Sequence, residues 1–69
     1  MAEVKTVGDD FPQEQARCRE VLAQYRELGA AGVLGGIMIE ATLREADLAM
    51  ASGDIVRILA AYQAMKGVE

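Results

Sequence analysis

Apolar side chains recur at Cys18, Val21, Leu22, Tyr25 and Leu28, the i, i+3, i+4, i+7 spacing of an amphipathic helix. Glu14, Arg17, Glu20, Gln24 and Glu27 occupy the other side. Asp10-Phe11-Pro12-Gln13 reads as the start: Asp10 can cap free N–H groups, Pro12 needs no N–H in a first turn, and Gln13 completes a capping box. Gly29 supplies a stop that tolerates positive φ. The pattern predicts a first helix near 12–28 and leaves residues 1–9, which hold no period, as a flexible N-terminal tail on a single helical domain over 10–69.

Ser52-Gly53-Asp54 reads as helix stop, turn and N-cap. Beyond it Ile55, Ile58, Leu59, Tyr62 and Met65 form one stripe, and Lys66 in the last turn complements the helix dipole before Gly67 ends the element. A third helix near 54–66 follows, too short to persist without tertiary contacts. The fold class is therefore all-α, a three-helix domain joined by short Gly-containing turns, with helices near 12–28, 31–51 and 54–66.

The middle segment carries apolar residues on two sides. At about 100° per residue, Gly32, Gly35, Gly36, Ile39, Leu43, Ala46 and Met50 fall within roughly 60° of one line. Leu34, Ile37, Ala41 and Leu48 lie nearly opposite, with Val33 and Met38 on the flanks. A helix apolar on two sides must be covered on two sides. Either helices one and three each cover one side, or both pack on one face and leave the other for another molecule.

Each glycine inside a helix costs about 1 kcal/mol relative to Ala, so Gly32, Gly35 and Gly36 call for a compensation. Close approach of another backbone is one; the alternative is a helix that starts near Val33 or Gly36, with the early glycines in a loop. Gly32-x-x-x-Gly36 matches the spacing of membrane-helix dimers, but Glu40 closes the apolar run well short of the roughly 20 residues a membrane span needs.

Composition narrows the chemistry. The chain has 69 residues, 52% of them hydrophobic, no His and one Cys, which rules out zinc fingers, His-based triads and an internal disulfide. A net charge of −4 argues against a nucleic-acid partner, and acids outnumbering bases 11 to 7 argue against a membrane-surface helix. The polar N-terminus lacks a secretory signal, so the expected location is cytoplasmic. Cys18 fits a small buried hydrophobe in a reducing compartment; a reactive thiol or an intermolecular disulfide would need a depressed pKa or an oxidising setting.

The glycine run lacks the Lys and hydroxyl of a P-loop and follows a helix rather than a strand. Glu40, Arg44 and Asp47 read as a surface charge ladder on one helix edge, and Asp54 with Arg57 as a cap and a local pair. Tyr25 and Tyr62 fit packing with the hydroxyl at the rim, and Met38, Met50 and Met65 fit as gap-fillers. No catalytic, cofactor-binding or metal-binding residues are expected.

From Phe11 to Glu69 the segments FPQEQARCREVLAQYRELG, GGIMIEATLREAD, ASGD and YQAMKG resemble small uncharacterised helical proteins encoded in bacteriophage and prophage genomes of Gram-negative bacteria. The resemblance implies a bacterial or phage cytosolic origin and supplies no activity and no site residues. Ala46 to Tyr62 is also similar to one tetratricopeptide hairpin, but the chain holds no second copy.

A core this small offsets chain entropy narrowly. With the second apolar stripe, this predicts a homo-oligomer, in the first place a homodimer that buries Leu34, Ile37, Ala41 and Leu48 with the glycine face close by. The expected function is a non-enzymatic protein–protein interaction module, such as a phage-derived adaptor or inhibitor. A structural homo-oligomeric subunit with no heterologous partner is the competing expectation.

Overall fold

The computed structural model describes residues 2–69, with side chains described from residue 9 onward. Three helices follow one another: α1 (Ala2–Glu27), α2 (Val33–Ser52) and α3 (Ile55–Lys66), with a 3-10 turn over Gly29–Gly32 between the first two. Each helix packs against both others.

The first helix starts at Ala2 rather than near Pro12, so the backbone of 2–9 continues α1 instead of forming a tail, while Met1 lies outside the described residues. Pro12 therefore sits inside a helix and not in its first turn. It has no N–H for the carbonyl one turn back, a gap that costs about 3 kcal/mol in a helix interior. The compensation is next to it. Phe11 is 1% exposed and stacks on Tyr62 of α3, with ring centroids 6.5 Å apart. Phe11 thus extends the Cys18–Leu22–Tyr25 stripe of α1 towards the N-terminus and belongs to the core, not to a cap.

Both glycine turns form as the sequence predicts. Gly29 and Gly53 adopt φ of 64° and 70°, the left-handed region that a Cβ disfavours. Asp54 caps α3 by accepting from the N–H groups of Val56 (3.0 Å) and Arg57 (3.4 Å). The Ser52 hydroxyl closes the same turn, donating to the Ala49 carbonyl at 2.6 Å and accepting from the Asp54 N–H at 3.1 Å. At the other end α2 starts at Val33, not at 31, and the glycines before it form the 3-10 turn.

The core joins Phe11, Cys18 and Leu22 of α1 to Ile39, Leu43, Ala46 and Ala49 of α2 and to Ala61, Tyr62 and Met65 of α3. Several stripe positions at the helix ends depart from the predicted pattern. Leu28, Met50 and Ile55 are exposed because each lies where one helix ends or begins and the next has turned away. Met38 is also on the surface, so of the three helical methionines only Met65 fills the core.

Arg17, predicted to lie on the outer side of α1, instead clamps α1 to the end of α3. Its guanidinium donates to the carbonyls of Met65 (2.7 Å) and Val68 (2.8 Å) and to Glu14 Oε1 (3.0 Å from Nη2). The Cys18 thiol donates to the same Met65 carbonyl at 3.6 Å. The last carbonyls of a helix have no partner within it, and here a neighbouring helix supplies one. Lys66 stands in the last turn of α3 as the sequence predicts, with its ammonium over the Tyr62 ring at 5.2 Å.

Replacing Pro12 by Ala tests the continuity of α1. The variant is expected to gain on the order of 1 kcal/mol or more, which raises Tm by roughly 5 °C for a domain of this size. An unchanged or lower Tm in thermal unfolding would place the helix start at Pro12.

Candidate interaction face

The two sides of α2 have different environments. α1 and α3 both pack on the side that carries Gly32, Gly36, Ile39, Leu43 and Ala46, all buried. Ala49 joins them, and Met50 does not. On the opposite side Leu34, Ile37 and Leu48 are 72%, 58% and 51% exposed, and Ala41 is exposed with them. Of the two sequence-based arrangements, the chain adopts the one that leaves a complete apolar face of α2 unpartnered. Val33 and Met38 widen that face.

The glycines serve the inner side. A Cβ at Gly32 would overlap the Tyr25 backbone carbonyl, and one at Gly35 would overlap the Tyr25 ring. The close approach is therefore made within the chain, by the last turns of α1, and not across a dimer. The Tyr25 hydroxyl fixes the ring there by donating to the Glu69 carbonyl at 2.7 Å. Gly36 is different: a Cβ there would only touch Leu22 Cδ1 at 3.6 Å, an ordinary van der Waals distance.

Charged groups border the outer face on both sides. Glu40 pairs with Arg26 of α1 at 3.3 Å, and Asp47 accepts from Gln15 Nε2 of α1 at 2.8 Å. On the α3 side, Glu45 takes a two-pronged contact from Arg57, at 2.7 Å to Nε and 3.0 Å to Nη2. That hydrogen bonding holds the Glu45 carboxyl below its ordinary range. The predicted ladder along one edge is thus replaced by ties to the neighbouring helices, and Arg57 reaches Glu45 instead of pairing with Asp54. Arg44 and Asp47 are the charged groups of α2 that form no ion pair with the described residues, and Asp47 is held by its Gln15 hydrogen bond while Arg44 has no such tie.

Elsewhere the polar chemistry is committed to structure. An open cleft of about 280 Å³ lies beside Tyr25, Gly35, Met38 and Thr42, where the Thr42 hydroxyl donates to the Met38 carbonyl at 3.0 Å. A second, of about 300 Å³, lies under the Arg26–Glu40 pair beside Gly29 and Val33. Among the described residues no group of three or more acidic or Cys side chains is placed to hold a metal ion. No helix among them is long and apolar enough to cross a membrane. Burial pushes the Cys18 thiol up from its ordinary value, against the pull of Arg17. No protein-family model, no curated protein and no solved structure matches the chain.

Substitution of the glycines by Ala should separate packing from propensity. Gly32→Ala is expected to lower Tm sharply, because the Tyr25 carbonyl it meets is backbone and cannot swing aside. Gly36→Ala should leave Tm unchanged or raise it, since the helix gains up to about 1 kcal/mol. Equal effects at the two positions in thermal melts would contradict the Tyr25 contact.

Because the Cys18 pKa is raised on folding, the unfolded thiol ionises first, from about pH 8.5. Stability should be whole below that pH and decline as pH rises towards the folded value. Denaturant titrations over this alkaline range should show the decline in the native chain and a smaller one in Cys18→Ala. An aromatic disulfide reagent should label the native thiol only at the rate of unfolding.

Proposed function

We propose that the protein is a non-enzymatic interaction module that acts through the outer face of α2, with a second copy of the chain as its first occupant. The observation that carries this reading is the exposure of Leu34, Ile37, Ala41 and Leu48 along one line of α2, opposite a core that is already complete. Large side chains in a contiguous exposed row mark interaction surfaces more than scattered ones do. The small core adds to the argument, since association contributes stability that a chain of this length gains only narrowly by itself. The polar groups described above are spent on caps and interhelical ties, and this favours binding over chemistry. A cytoplasmic location and a role as an adaptor or inhibitor belong to the same reading.

Sedimentation equilibrium on the full chain at tens of micromolar (about the range where modest interfaces associate) should return a dimer. Leu48→Lys should return a monomer with unchanged helical circular dichroism, because this side chain contributes little to the fold of its own chain. A monomer in the native chain, or a dimer indifferent to Leu48→Lys, would count against this face.

A further inference from the structure

We infer that the second copy packs antiparallel on α2, in a register that sets Arg44 of each chain over Ala41 of the other. The inference rests on the self-association proposed above. On the exposed face of α2, Leu34, Ala41 and Leu48 recur at seven-residue intervals, and Ile37, Arg44 and Ala51 recur between them. This is the a/d pattern of a two-helix seam, with one charge in it.

A parallel pair about a two-fold axis sets each residue against itself. Arg44 would face Arg44 in the middle of the seam, and Ala41 would face Ala41 one layer away. Like charges would thus meet beside a layer too small to fill. An antiparallel pair removes both faults, because each a position then meets a d position. Leu34 meets the partner's Ala51, Ile37 meets the partner's Leu48, and Ala41 meets the partner's Arg44. Leu34 falls against the small Ala51 at each end of the seam, Ile37 and Leu48 fill the layers next to it, and the two-fold axis generates the same contacts twice.

The central layer also answers the unpaired cation. The Arg44 stem can lie over the small side chain of the partner's Ala41 and carry the guanidinium to the rim. Glu40 and Glu45 stand on either side of Ala41 along that rim, and in each chain they form surface pairs with Arg26 and Arg57 that leave both carboxylates substantially exposed. Every other charge on α2 is already tied to α1 or α3. The basic group in the seam and the acids at its border are therefore complementary between antiparallel copies.

Crosslinking reads the orientation. Leu34→Cys and Ala51→Cys chains, mixed and treated with a short bismaleimide, should give a covalent dimer that joins one to the other. Cys18 is buried and should not compete. Either variant alone should give none, because positions 34 and 51 lie about 25 Å apart along a helix rising 1.5 Å per residue. Self-crosslinking by Leu34→Cys alone would establish a parallel pair and overturn the register, while leaving the dimer intact. A dimer by sedimentation that crosslinks in neither test would overturn the face as well. A monomer would end the underlying reading instead. Arg44→Glu should weaken the dimer by roughly tenfold or more, as acids then face acids; an unchanged dissociation constant would remove Arg44 from the seam.

Discussion

The entry of Tyr25 into the glycine-lined start of α2 is the contact on which the remaining geometry depends. Gly32 lets the backbone of the second helix approach the Tyr25 carbonyl, and Gly35 makes room for the ring. With that approach in place, Leu22 reaches Gly36, and the lower half of α2 presents Ile39, Leu43 and Ala46 to the same side. A methyl at Gly32 would force the helices apart at the turn and open a wedge along the whole contact. The conformational cost of glycines in and before a helix is thus offset by close packing with the preceding helix.

A second tie acts midway along α1. The Arg17 guanidinium and the Cys18 thiol converge on the Met65 carbonyl, and Phe11 stacks on Tyr62 a little further along. α1 therefore meets α3 through both hydrogen bonds and rings, while α2 and α3 are held by the Gly53 turn, small residues such as Ala46, Ala49 and Ala61, and the Glu45–Arg57 pair. The hydrogen bonds to backbone carbonyls place α3 by its end, and this suits a helix too short to be stable alone.

Local chemistry was legible in the sequence where it is self-contained. Ser52-Gly53-Asp54 names its own turn and cap, and α3 follows almost to the residue. The two-sided character of α2 was legible for the same reason, since helical angle depends on spacing alone. The start of α1 was not, because Pro12 suits a first turn equally well and masks the fact that Phe11 lies seven residues before Cys18 on the same stripe. Arg17 could not be read either: its partners are backbone carbonyls 48 and 51 residues away, which carry no side-chain signature. The glycines announced a close approach, but only the register between α1 and α2 shows that Tyr25 makes it.

The separation of the two sides of α2 has an evolutionary consequence. Leu34, Ile37 and Leu48 project away from the packed core, whereas Ile39, Leu43 and Ala46 are enclosed in it. Substitutions on one side change how the chain meets other molecules, and those on the other change whether it folds. Effects at such separated positions combine nearly independently. A single twenty-residue helix can therefore drift in recognition while selection holds its folding constant.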